Sequence, residues 1–203
     1  LHYDPSNGGR LVRPNIKGEK TKEHLVECAA HLFLQNGYNA TGINDILSKA
    51  GVSKGSFYFY FASKKELAME VADYYSRIKI SEISKTAEGR TWEDFIEKLI
   101  GDMIKRAKQK KSFGCPLAVL GMEIAFLEPD IADRYYESIK KVVGIFADVF
   151  RRSGISEEKA VLIADHALAI YEGYLLFYRI SKNIDELEKL RRDLKAIEGS
   201  LSL

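Results

Sequence analysis

The sequence predicts an all-α protein of about nine helices, and three observations carry that prediction. Apolar residues recur at three- and four-residue spacing along most of the chain. Proline is scarce (Pro5, Pro14, Pro116 and Pro129), and no alternating β-branched run is bounded by hairpin turns. Serine, threonine, glycine and acidic residues sit where helices would begin or end. At 203 residues, with 46% hydrophobic and 30% charged side chains, the chain can bury a substantial core and does not have a disordered composition. No run of 18 apolar residues occurs, so no membrane span is expected. The opening LHYDPSNGGRLVRPNIKGEK has no apolar signal core and reads as a flexible arm over residues 1–18. Two cysteines are too few for a disulfide framework, so a reducing cytoplasm is expected.

Taken in order, Thr21 to Gly37 places Leu25, Cys28, Ala29, Leu32 and Phe33 on one face of a helix that Gly37 closes. Tyr38 to Thr41 is a connector. A second helix carries Ile43, Ile46, Leu47 and Ala50 as its stripe, and Gly51 supplies the left-handed residue that ends it. Ser53 then caps a third helix, which exposes Lys54, Gly55, Ser56, Tyr58 and Tyr60 while Phe57 and Phe61 point inward. Ser63 and Glu66 fit a capping box that opens a long fourth helix bearing Leu67, Val71, Tyr74, Tyr75 and Ile78. Further helices are expected at about 91–110, 117–126, 130–152, 156–181 and 184–198. A helix, a tight glycine turn and a second helix exposing small, basic and phenolic groups form a helix-turn-helix, so duplex DNA is the expected partner. Charge agrees: residues 1–65 hold nine Lys/Arg against five Asp/Glu, and the remainder holds 22 against 24.

The run AAHLFLQNGYNATGINDILSKAGVSKGSFYFYFASKKEL closely resembles the N-terminal domain of the TetR/AcrR family of bacterial transcription regulators. The resemblance implies a three-helix DNA-binding domain (residues 19–65) joined to a larger helical domain (66–203) for effector binding and dimerisation. Thr41 and Lys64 match phosphate-binding positions of the family. Gly42 stands in the same set without a side chain, where family members often carry Ser or Thr. From the residues themselves, Lys54 can reach a guanine edge or a phosphate, Ser53 and Ser56 can donate to DNA, and Tyr58 and Tyr60 can bond phosphate oxygens. Packing against the following helix is the other reading of both tyrosines. Gly55 is a poor helix former whose compensation would be close approach to DNA.

From Val161 to Tyr178 apolar residues cover most of the helix circumference, and Leu187, Leu190, Leu194 and Ile197 form a seam. With Leu175 they are the expected dimer interface, in accord with the four-helix interface that the resemblance implies. Trp92, Phe95, Cys115, Met122, Phe126, Phe146, His166, Tyr171 and Tyr174 are candidate lining for a mostly apolar effector pocket. Cys115 before Pro116 stands at a helix start, which favours a thiolate and leaves a redox role open beside a pocket-lining one. The segment GCPLAVLGMEIA itself resembles a stretch over the ligand cavity in one branch of the family. The four histidines are not spaced as a metal site, no phosphate loop is present, and no catalytic set can be argued, so neither enzyme nor cofactor is expected. The expected function is a homodimeric repressor of a palindromic operator, released by a small hydrophobic or aromatic effector. An activator, a redox sensor and a helical carrier are the alternatives.

Overall fold

The structure is a computed structural model in which residues 16–110 and 114–200 are described. Those residues form nine α-helices and no strand: α1 (Ile16–Asn36), α2 (Ile43–Ala50), α3 (Lys54–Tyr60), α4 (Lys64–Ala87), α5 (Trp92–Lys108), α6 (Pro116–Ile124), α7 (Pro129–Arg152), α8 (Glu157–Ser181) and α9 (Asp185–Ser200). The all-helical class holds. The first helix begins at Ile16, ahead of the Thr21 start read from periodicity. The rest of the expected arm lies outside the described residues. Two compact units divide between Val71 and Ala72, inside α4.

In the first unit α1 packs on α2, and α2 meets α3. Leu25, Ala29, Phe33, Ile46, Phe57, Phe61, Leu67 and Val71 are buried there, which are the stripes that the sequence periodicity marked. Helix ends follow local chemistry. Gly37 takes φ +93° and returns its N–H to the Phe33 carbonyl at 2.9 Å. Ser63 Oγ accepts the Glu66 N–H at 3.1 Å, while the Glu66 carboxylate accepts from Ala62 N–H at 2.6 Å, a capping box shifted one residue toward the N-terminus.

The second unit is a bundle in which α7 packs on α6 and α8, and α9 packs on α8 and α5. Its centre is aromatic. Trp92 stacks on Phe150 with centroids 4.0 Å apart and meets Phe146 edge-on at 5.3 Å; Phe95, also on α5, and Tyr171 on α8 pack against Phe146 as well. The Trp92 indole N–H donates to the Leu194 carbonyl at 2.7 Å, so the start of α5 is tied to the middle of α9. Ser138 on α7 donates to Ser76 on α4 at 2.9 Å, which satisfies a pair of buried hydroxyls. Among the described residues, α8 alone is long and apolar enough to cross a membrane, with a mean hydropathy of 1.4 in its most apolar window. It packs between α7 and α9, as the core helix of a bundle does.

One expectation is overturned. Leu187, Leu190, Leu194 and Ile197 are not an open seam for a second subunit; they are buried within the chain as α9 packs on α5 and α8, and Leu175 of α8 is buried as well. Charged residues cover the outer face of α9: Lys189, Arg192 and Asp185 are exposed. Periodicity located the stripe correctly but could not say which molecule covers it. Leu190→Ala is therefore expected to cost about 2–5 kcal/mol of stability in thermal or denaturant unfolding. The same substitution should leave the oligomeric state in sedimentation unchanged.

Candidate nucleic-acid interface and effector pocket

The first site is built on α3, which is only seven residues long and has no stability of its own in water. It is fixed at both ends. Gly51 adopts φ +65°, and the N–H groups of Gly51 and Val52 turn back to the Leu47 carbonyl. Ser53 Oγ accepts the Ser56 N–H at 3.2 Å. Phe57 and Phe61 are buried, with ring centroids 5.7 Å apart. With that face turned inward, the opposite face is open: Lys54 and Gly55 are exposed, and Tyr58 is 48% exposed. The Lys54 ammonium lies 5.9 Å from the Tyr58 ring centroid, so cation and phenol project as one group. Ser56 and Tyr60 are half-buried. At Gly55 a β-carbon would meet no atom closer than Ser53 Oγ at 3.9 Å. Nothing inside the molecule requires a glycine there.

Two of the expected phosphate contacts are committed internally. Thr41 is 1% exposed and its hydroxyl donates to the Gly37 carbonyl at 2.7 Å, so it closes the connector instead of facing DNA. The Lys64 ammonium donates to the carbonyls of Tyr38 and Thr41 at 3.0 and 3.1 Å and sits 4.2 Å from the Tyr38 ring centroid. It clamps the α1–α2 connector to the start of α4. The backbone N–H of Gly42 donates to Asp45 at 2.7 Å as α2 begins. Sequence reasoning missed Phe59, which is 77% exposed. The signal was present: Phe57 and Phe61, four apart, define the buried face, and the residue midway between them must lie opposite.

The second unit holds a pocket of about 220 Å³ between α6 and α8, lined by Cys115, Ala118, Val119 and Met122 on one side and Glu172, Gly173, Leu175 and Leu176 on the other. Of the nine candidate lining residues only Cys115 and Met122 are there. Trp92, Phe95, Phe146 and Tyr171 belong to the solid aromatic core. Tyr174 donates its hydroxyl to Asp193 on α9 at 2.6 Å. His166 is exposed, and Phe126 is 97% exposed at the α6–α7 corner. Large aromatics filled the centre because they have the most apolar area to bury.

The pull toward a thiolate that its helix-start position suggests is outweighed at Cys115. The N–H groups of Leu117 and Ala118 do pull its pKa down, as a helix start should. Burial outweighs them, and the neighbouring Glu172 carboxyl adds to the rise, so the thiol is held well above its ordinary value. Glu172, which sequence reasoning passed over, is pushed up to about 7 by burial, against smaller downward pulls from the Cys115 thiol and Lys79.

Comparison with known proteins fits this geometry. The family model described as bacterial regulatory proteins, tetR family, matches residues 25–71. A second, described as the LmrA/YxaF-like transcriptional regulator C-terminal domain, matches residues 93–193. The chain belongs to the TetR family of transcriptional regulators. It is similar to the HTH-type transcriptional regulator LmrA of Bacillus subtilis, at 27% identity over 80% of this chain and 88% of that one. It is also similar to the HTH-type transcriptional repressor NemR of Escherichia coli, at 24% identity over 87% of this chain and 93% of that one. Among solved structures, a TetR-family transcriptional regulator from Cytophaga hutchinsonii superimposes with a TM-score of 0.81, at 19% identity over 93% of this chain and 98% of that one. As in its family, the protein is a DNA-binding regulator with an N-terminal helix-turn-helix.

Because α3 depends on its cap and anchor, Ser53→Ala should destabilise the first unit by about 1 kcal/mol and Phe57→Ala by about 3–5 kcal/mol. Hydrogen exchange of the α1–α3 amides measures both, and the α7–α8 amides should be unaffected.

Proposed function

We propose that the protein is a homodimeric repressor that sets two copies of α3 in successive major grooves of a palindromic operator and leaves it when a small effector binds the second unit. The observation that carries this reading is the outer face of α3. Lys54, Gly55, Ser56, Tyr58 and Phe59 are presented together on a helix whose other face is buried. Lys54 supplies the charge that a phosphate or a guanine edge attracts, and Tyr58 a donor for a phosphate oxygen. The bare backbone at Gly55 lets the groove come close. Phe59 offers an apolar surface to a thymine methyl or a sugar. Ser53, spent as a cap, and Thr41 and Lys64, spent within the connector, hold this surface in place. A repressor is preferred to an activator because occupancy of an operator suffices to block transcription, and a relative is named a repressor. The work of such a regulator places it in the cytoplasm, where bacterial DNA is.

Two-fold symmetry requires a self-complementary face, and α8 offers one in place of α9. Leu162, His166, Ala169 and Ile180 share one side of α8, and all four are exposed. Phe177 widens the stripe. The small side chain of Ala169 lets a partner helix approach closely there. Operator half-sites about 34–36 Å apart then fix the spacing that two α3 helices must keep. An effector that binds better at another spacing shifts the population away from DNA. A redox switch at Cys115 is disfavoured, because a buried thiol with a raised pKa holds little of the thiolate that oxidants attack. A carrier would have no use for the exposed face of α3.

Lys54→Ala and Tyr58→Ala are each expected to abolish specific operator binding in fluorescence anisotropy, with helicity and oligomeric state retained. Gly55→Ala should stabilise α3 by about 1 kcal/mol and still weaken the DNA complex, a pairing that a purely structural glycine does not produce.

Leu162→Glu combined with Ile180→Glu should yield folded monomers in sedimentation equilibrium and lose operator binding. Dimers that survive both changes would place the interface elsewhere.

A further inference from the structure

Glu172 lies midway along α8 and opens onto a pocket whose remaining walls are Ala118, Val119, Met122, Gly173, Leu175, Leu176 and the Cys115 sulfur. No basic side chain lines that pocket. A carboxylate withdrawn from water among apolar groups is costly unless a charge or several donors meet it. The Cys115 thiol meets it with one weak donor. Lys79 acts on Glu172 only as a charge, the weakest of its influences. The space beside the carboxyl is open: Gly173 is helical, and a β-carbon on it would meet nothing within 4 Å. A glycine in a helix interior costs about 1 kcal/mol relative to alanine, and nothing within the chain compensates for it.

We propose that the α6–α8 pocket binds a small amphipathic amine, with its apolar body between Val119, Met122, Leu175 and Leu176 and its protonated nitrogen on the Glu172 carboxylate. This deepens the effector reading above and rests on it for its regulatory consequence. The chemistry follows from the walls. An ammonium brings the charge and the donors that the thiol cannot, and the lining offers nothing for a carboxylate or phosphate ligand to pair with. At about 220 Å³ the pocket is smaller than most ligand sites, which run from about 300 Å³ upward. One ring or a short chain fills it. Val119 and Met122 stand across the pocket from Glu172, so a ligand with a nitrogen at one end of an apolar body spans the space.

Three probes of one shape test this on the full chain: 4-phenylbutylamine, 4-phenylbutanol and 4-phenylbutyrate, followed by calorimetry and thermal shift. The amine should bind at least tenfold more tightly than the alcohol, and the carboxylate most weakly. Glu172→Gln should bring amine and alcohol to equal affinity with the fold intact. Val119→Trp, which fills the pocket without touching the carboxyl, should remove binding of both. Equal binding of the three probes, no binding at all, or an amine preference that persists in Glu172→Gln would overturn the assignment; no binding is also what a pocket filled by the second copy would give. Operator affinity is read separately by anisotropy in the presence of the amine. Glu172-dependent binding that loosens the operator complex supports both the site and the effector reading. The same binding with operator affinity unchanged keeps the site and overturns its regulatory role.

Discussion

The surface proposed to read DNA depends on a short helix being held from behind. Seven residues cannot sustain helical structure in water, so α3 depends on Phe57 and Phe61 being buried within the first unit. That single constraint fixes what α3 can present. With two aromatics four residues apart pointing inward, Lys54, Gly55, Tyr58 and Phe59 have nowhere to go but out. The rest of the first unit serves the same end: the Gly51 turn sets the approach of α3, Ser53 starts it, and the Lys64 ammonium holds the connector that α2 hangs from. Thr41 and Lys64, which resemble DNA contacts by position, are thus bonded within the connector behind α3.

The second unit is organised around a different core. Trp92 is stacked on Phe150, bonded to the Leu194 carbonyl and flanked by Phe95 of α5 and Phe146 of α7. It occupies the volume that a receptor cavity at the bundle centre would need. The space left over is peripheral, between α6 and α8, and the apolar surface left over is the outer stripe of α8. One helix therefore supplies core, pocket wall and exposed face along its length. This explains why its sequence is apolar nearly all round.

At that pocket two ionisable groups share one environment with opposite consequences. Burial raises both Cys115 and Glu172. For the thiol this means inertness, although the start of α6 points N–H groups at it. For the carboxyl it means a charge held near its titration point, ready for a partner that restores what desolvation removed. Helix-terminus and desolvation effects both act at Cys115, and the larger is the one that a linear sequence does not display.

Local features were legible because they are decided within about four residues. Gly51 as a turn, Ser53 as a cap, Pro116 and Pro129 at helix starts, and the polar set on α3 all follow from backbone geometry and hydrogen bonds between near neighbours. The family resemblance rested on the same short-range signals. The periodicity of α9 gave its apolar stripe but not the surface that meets it, because a stripe looks the same whether α5 or a second subunit covers it. Aromatic residues in the C-terminal half could be counted, yet counting cannot separate those that fill a centre from those that border a space. Phe126, outside, and Phe146, wholly inside, differ in neither residue type nor local pattern. Glu172 is one acid among 29 acidic residues in sequence, and only the tertiary structure sets it, half-buried, in the wall of the α6–α8 pocket. What the sequence determined is whatever the chain settles with itself over one helical turn. Tertiary structure decided which faces meet, because burial is a property of the surface brought alongside.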